Sequence, residues 1–278
     1  MGVIKFSDIT EAYELAAFLK EPQRINSIKF LSKYMKLSSA IRFFSSGMML
    51  INNPANMNDY YEYESFPERE AWSRICFASF ISQQSESMAM WSMYAQHWDE
   101  GVMISFPANA LRELVQNTPT LITAVINEET GRYEPSSDEI SAEGILSINR
   151  VAYLDGHTLT YRGRDDRNIH FKNPYEHPEL AGFIKDAAWE YEKEIRLRVD
   201  LPSSYDGDAV FLKLPDSFLK QINITTGPRF AGNAITALPK KFRPFVKIKT
   251  SKFTEKLAWT PCDDCYYKNA VLQQDIDG

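Results

Sequence analysis

The chain has 278 residues, 44% apolar and 24% charged, which is enough for a sizeable core and excludes disorder along its whole length. Its 31 Lys and Arg against 37 Asp and Glu give a net charge of −6, which argues against a general nucleic-acid-coating protein and leaves room only for a local basic groove. Only 12 glycines accompany 13% aromatic residues, so folds that cradle phosphates on glycine-rich loops start at a disadvantage.

The first six residues, Met1 to Phe6, lack the apolar segment of a secretory signal. No apolar run approaches the roughly 20 residues that span a bilayer, so a cytoplasmic protein without a membrane partner is expected. Residues 7–20 predict a short helix, because Ala12, Leu15, Ala16 and Leu19 form one apolar stripe. Residues 26–35 read as a strand or a helix-to-strand passage. Residues 37–46 predict a helix ended by Gly47, and Met48 to Ile51 a short buried strand before the turn Asn52-Asn53-Pro54.

Ile75 to Phe80 reads as a central strand, Met88 to His97 as a helix, Val102 to Phe106 as a strand and Ala108 to Gln116 as a helix. Residues 119–127 and 146–154 are expected to pair around an acidic, Ser-rich insertion at 128–143. Residues 156–178 read as a long loop, 180–188 as helical, and 190–199 as a strand by their period-two alternation. Further strands are expected near 209–213, 222–226 and 245–249, with a helix near 215–221. The expectation is one α+β domain with a mixed or antiparallel β core and peripheral helices. Residues 1–25 would be an N-terminal helical extension, 26–252 the domain and 253–278 a tail.

Several templates fail. The sequence contains no GxGxxG, HExxH or GxSxG, and Gly227 to Gly232 has P-loop glycine spacing but is followed by Asn233-Ala234 instead of Lys and Ser/Thr. His97, His157, His170 and His177 form no ligand pair on one helix face. Cys262-Asp263-Asp264-Cys265 is half a zinc site without a second half, and three cysteines in total suit reduced thiols better than disulfides. Cys76 sits in an apolar strand, where an inert thiol is the default. No metal is expected.

One segment stands apart: Trp189-Glu190-Tyr191-Glu192-Lys193-Glu194-Ile195-Arg196-Leu197-Arg198-Val199. As a continuous strand it would set Trp189, Tyr191, Ile195, Leu197 and Val199 on one side. Glu190, Glu192, Glu194, Arg196 and Arg198 would share the other. Such a ladder is either a solvated, self-compensating edge or a ligand cleft. In a cleft, neighbouring carboxylates raise one another's pKa and the arginines clamp phosphate or carboxylate.

Four stretches in order carry a resemblance: Leu31-Ser32-Lys33-Tyr34; Asn53-Pro54 through Asn58-Asp59; Cys76-Phe77-Ala78-Ser79 with Met90 to Tyr94 and Gly101 to Phe106; and Trp189-x-Tyr191-Glu192-x-Glu194-x-Arg196. Over roughly residues 30–230 this pattern resembles the bacterial family catalogued as domain of unknown function 2971, whose name carries no activity. It departs from the family at Ser32, at Ala78, and at Met57 to Tyr60, which lacks the proline. The order of motifs also looks like the ADP-ribosyltransferase layout. There an early strand carries Arg or His, a middle strand an aromatic-x-Ser element, and a late strand a catalytic Glu, often as Glu-x-Glu. Those places would be held here by Lys33-Tyr34, Phe77-Ala78-Ser79 and Glu192-Lys193-Glu194.

This second resemblance implies an enzyme that cleaves NAD and transfers ADP-ribose to an acceptor macromolecule the sequence does not name, in a toxin or phage-defence setting. Glu194 would stabilise the oxocarbenium-like state, Glu192 would orient or deprotonate the acceptor, and Ser79 would support Glu194. Tyr34, Trp91 or Tyr94 would stack on nicotinamide or adenine, with ordinary core packing the alternative for Trp91 and Tyr94. Lys33, Arg196 or Arg198 would meet the pyrophosphate. Two other readings stay open: a metal-dependent nuclease gathering Mg²⁺ on Glu190, Glu192 and Glu194, and a non-catalytic sensing or interaction module.

Overall fold

The computed structural model of the chain describes residues 9, 12–19, 27–53, 74–82, 86–95, 99–117, 119–142, 145–155, 158–160, 168–170 and 178–254. Ser7, Asp8, the rest of the Asn53–Asp59 motif after Asn53, His97, His157, His177 and the Cys262–Cys265 pair lie outside these residues.

Helix α1 (Ala12–Leu19) is followed by strand β1 (Phe30–Lys36), helix α2 (Leu37–Ser46) and strand β2 (Met48–Asn52). Gly47 closes α2 with φ 66°, and its amide donates back to the Phe43 carbonyl, the left-handed cap that frees the chain to turn into β2. Next come β3 (Ile75–Ile81), α3 (Met88–Tyr94), β4 (Gly101–Pro107), α4 (Ala108–Gln116) and the hairpin β5 (Thr120–Asn127) and β6 (Arg132–Ser141). Then follow β7 (Leu146–Arg150), β8 (Ala152–Asp155), β9 (Thr158–Thr160), β10 (Asn168–His170) and β11 (Ile184–Asp186). The chain continues with β12 (Glu194–Asp200), β13 (Ala209–Lys213), α5 (Asp216–Leu219), β14 (Asn223–Thr226), α6 (Ala234–Ala237) and β15 (Lys247–Thr250).

Together these form a single α+β domain with a mixed, mostly antiparallel sheet. The main sheet has eleven strands and runs β15-β14-β4-β1-β3-β2-β13-β5-β6, with β12 on the far side of β3 and β7 beyond it. Strand β3 therefore has three neighbours. It pairs β12 along its whole length, touches β1 only at Ser32 opposite Ile81, and touches β2 only at Asn52 opposite Phe77. Strands β1 and β2 part between those two points, and the sheet opens there.

Alternation decides the two faces. Cys76, Ala78 and Phe80 of β3, Val102, Ile104 and Phe106 of β4, and Ile195, Leu197 and Val199 of β12 turn to one side, where Phe43 and Phe44 of α2 and Leu111 of α4 complete the core. The opposite face receives α3. Trp91 packs edge-to-face on Tyr34 with ring centroids 4.7 Å apart, in a cluster with Ile81, Met90, Ala95 and Met103. A smaller sheet, β10-β9-β8-β11, lies against α1 through Leu15, Phe18 and Leu19 on Ala152, Leu180, Phe183 and Ile184.

Four local expectations are corrected. Strand β5 pairs with β6 and not with residues 146–154, and the supposed insertion at 128–143 is a four-residue turn plus an edge strand. That strand is almost entirely exposed and carries Pro135, so the ladder to β5 holds it and no apolar alternation announces it. Strand β7 pairs instead with β12. The stretch 156–178 contains the short strands β9 and β10, and residues 180–188 contain β11, parallel to β8, where a helix was expected.

The fourth correction concerns residues 189–193. Residues Ala187–Glu192 form a 3₁₀ turn, capped where the Asp186 side chain accepts from the Ala188 amide at 2.8 Å. Lys193 takes a left-handed conformation, φ 46°, and the strand begins only at Glu194. The alternation of large and charged residues mimics a strand, whereas the turn satisfies its backbone locally.

Candidate functional site

The reversal at Lys193 brings the carboxylates of Glu192 and Glu194 to one point. Both are buried, and both meet the ammonium of Lys185 on β11, at 2.7 Å from Glu192 and 3.5 Å from Glu194. Glu194 also takes a two-pronged contact from Arg196, from Nε at 2.8 Å and Nη2 at 3.2 Å. The remaining guanidinium nitrogen, Nη1, donates to the Gly182 carbonyl at 2.8 Å, and the plane lies 4.1 Å from the centre of the Phe77 ring. Gly182 adopts φ 74°, a left-handed conformation that favours glycine, and packs against the same ring.

Tyrosines complete the shell. The Tyr94 hydroxyl donates to Glu192, and the Tyr153 hydroxyl accepts from the Glu194 amide at 2.8 Å. Burial raises the pKa of both phenols, and the nearby carboxylates raise them further. Burial also pushes the Glu194 carboxyl up. Arg196, Lys185 and hydrogen bonding from Ser79 outweigh it, so this carboxyl is held well below the usual carboxylate range.

Ser79 is also the bridge to β1. The Lys33 ammonium donates to its carbonyl at 3.1 Å, in the opening where β1 and β3 part. Burial lowers the Lys33 pKa, and Glu194 opposes that shift. Among the described residues Lys33 makes no ion pair. It also lines a cavity of about 800 Å³ walled by Arg42 and Phe43 of α2, Met49 of β2, Phe211 of β13 and Arg132 of β6. That volume is on the scale of small-molecule sites.

Of the residues singled out from sequence, Ser79, Glu192, Glu194, Arg196 and Tyr94 come together, and Lys33 reaches the Ser79 carbonyl from the core face of the sheet. Tyr34 and Trp91 do not join them. Trp91 is fully buried, its indole N–H donates to Glu86 at 3.1 Å, and its ring is taken up by Tyr34. The structure places this pair in the core under α3. Arg196 is 1% exposed and donates to Glu194 and Gly182, so it positions the carboxylate. Glu194 is not the solvent-facing strand carboxylate that alternation suggested, since it is 4% exposed. Lys185, Tyr153 and Gly182 had no signal in the sequence, because a lone Lys on a three-residue strand carries no pattern.

Among the described residues, no group of three or more His, Cys, Asp or Glu side chains is arranged to hold a metal ion. Cys76 is buried, donates to the Asp208 carbonyl at 3.2 Å, and burial pushes its thiol up to about 12. Also among the described residues, no helix is long and apolar enough to cross a membrane.

Fold and site thus define an α+β domain with a buried, charge-balanced network at the junction of β1, β3 and β12. The family model described as "Protein of unknown function (DUF2971)" matches residues 90–197. This span holds the Met90–Tyr94, Gly101–Phe106 and Trp189–Arg196 motifs and leaves those around Lys33 and Ser79 outside. No curated protein and no solved structure matches the chain.

Proposed function

We propose that the chain cleaves NAD and transfers ADP-ribose, with Glu194 as the catalytic carboxylate. One observation carries this reading: three segments far apart in sequence, around Lys33, Ser79 and Glu194, lie on adjacent strands, where the Lys33 ammonium meets the Ser79 carbonyl and the Ser79 side chain bonds the ionised Glu194 carboxylate. In the reaction, the bond between ribose C1′ and the nicotinamide nitrogen breaks, and nicotinamide leaves with the electron pair. The positive charge that develops on the ribose is met by Glu194 in a site of low dielectric. An acceptor nucleophile then bonds C1′ and gives its proton to Glu192, which Tyr94 and Lys185 hold in place. Lys33, Arg42 and Arg132 line a cavity on the core face of the sheet, to which Ser79, Glu192 and Glu194 do not contribute, and their charges suit the pyrophosphate of a dinucleotide.

Nicotinamide release from NAD by the purified chain tests this. Glu194→Gln, with its fold checked by circular dichroism, should lose about a hundredfold or more in the chemical step. Ser79→Ala should lose less, and Glu190→Gln almost nothing. Absence of both NAD turnover and thermal stabilisation by NAD or ADP-ribose would overturn the proposal.

The rival is a non-catalytic module in which the network is purely structural. It is favoured by the near-complete pairing of Glu194 and Arg196, and it predicts that Glu194→Gln moves stability alone. Nothing in the described geometry favours the nuclease, because Glu190 and Glu192 leave the strand and Glu192 and Glu194 are tied to cations.

A further inference from the structure

Charge is distributed very unevenly along this acidic chain. Residues 240–252 hold six basic side chains (Lys240, Lys241, Arg243, Lys247, Lys249 and Lys252) and no acidic one, while the rest of the chain has 25 Lys and Arg against 37 Asp and Glu. Lys241 pairs with Asp216, and Arg243 is spent on the carbonyls of Leu238 and Thr236. Lys240, Lys247, Lys249 and Lys252 are exposed and make no ion pair among the described residues. Phe245, half-exposed at 50%, stands among them with the Lys220 ammonium 4.8 Å from its ring centre.

The ladder registers tie this edge to the candidate site. Lys247 on β15 lies opposite Asn223 on β14, which lies opposite Ser105 on β4, then Ser32 on β1, Ile81 on β3 and Glu194 on β12. Residues in register share a face, and the Ser32 and Ser105 hydroxyls, 2.8 Å apart, meet on this one. The lysine edge and Glu194 therefore terminate one row across the sheet, five strand spacings apart, or about 24 Å at ~4.8 Å per step.

We propose that the β15 edge binds single-stranded nucleic acid and so fixes the acceptor class of the transfer reaction. The acceptor half of this inference rests on the transferase reading, and the binding half stands without it. Unpaired lysines beside an exposed aromatic ring match a phosphate backbone with stacked bases. Lysines on an edge strand also deter strand addition. That role needs only Lys247 and Lys249, and leaves Lys240, Lys252, Lys220 and the exposed Phe245 unexplained.

The test is fluorescence anisotropy of labelled mixed-sequence single-stranded DNA and RNA with the full chain, without NAD, from 50 to 200 mM KCl. Wild type should bind at least one of them with affinity falling steeply as salt rises. The triple variant Lys240→Gln, Lys247→Gln, Lys249→Gln should bind at least tenfold more weakly at 50 mM, with a log–log salt slope shallower by about two. Phe245→Ala should weaken binding about fivefold or more. Unchanged melting temperature and size-exclusion volume would establish that the variants are folded and unassociated. No binding at 50 mM, equal binding by the triple variant, or preference for phosphatidylserine vesicles or polyglutamate over nucleic acid would overturn the proposal. Nicotinamide release persisting without nucleic-acid binding would defeat this inference alone, and the converse would defeat the NAD chemistry with the acceptor half and leave the binding half standing.

Discussion

Lys193 is the sole non-glycine residue with positive φ among those described, and it sits between the two site carboxylates. A left-handed backbone costs an ordinary side chain about 1–2 kcal/mol, so Lys193→Gly should raise stability by up to that amount in urea denaturation while Lys193→Val lowers it. Its carbonyl, held by the Ser82 amide at 3.1 Å and hydroxyl at 2.7 Å, keeps the turn in place in either case. Arg196→Met should be far more damaging, at about 3–5 kcal/mol, because it strips the buried, ionised Glu194 of its two-pronged partner and leaves the longer Lys185 contact. The double variant Arg196→Met, Glu194→Leu should recover much of that loss. Acid should expose the same coupling. The Glu194 pKa is lower folded than the ~4.3 expected unfolded, so its stabilisation is complete above that value and is lost as pH falls through the folded one. Urea midpoints measured from pH 6 to 3 should drop steeply below about pH 4 in wild type and less steeply in Glu194→Gln.

At the level of elements, helix α3 is seated by Met90 and above all by Trp91, its largest buried side chain. Trp91→Ala should cost about 3–5 kcal/mol in chemical denaturation by opening a cavity over Tyr34 and Met103. It should also loosen Tyr94, one turn further on, from Glu192. The strands that hold the site were readable as apolar runs. Ile75 to Phe80 and Val102 to Phe106 are buried on both faces, and their shortness and β-branched or aromatic content favour strand over buried helix. Helix α2 was readable from its Gly47 stop. Strand β6 was not, because only its ladder to β5 makes it a strand. The turn at 187–192 was misread because alternation of charged and large residues is necessary for a half-buried strand and not sufficient for one. Within the site, Glu192, Glu194 and Arg196 were visible as an unusual charge run. Their common partner Lys185 was invisible, since a parallel pairing of β11 with β8 leaves no trace in local sequence.

Across the whole molecule, β3 is the organising strand, bordered by β12 on one side and by both β1 and β2 on the other. Hydrogen exchange should find the slowest amides in β3, β12 and β4, and the fastest among the described strands in the outlying hairpin β5–β6, where Val125 and Ile126 remain more than half exposed. The same arrangement sets a problem of timing. Strand β3 is made early, yet the partner that covers its full length emerges more than a hundred residues later. At a synthesis rate of ~5–20 residues per second, this almost wholly apolar segment waits about ten seconds for β12. During that interval it is an open template for foreign strands. Chains stalled or truncated before Glu194 should therefore aggregate or be captured by chaperones far more than the full chain.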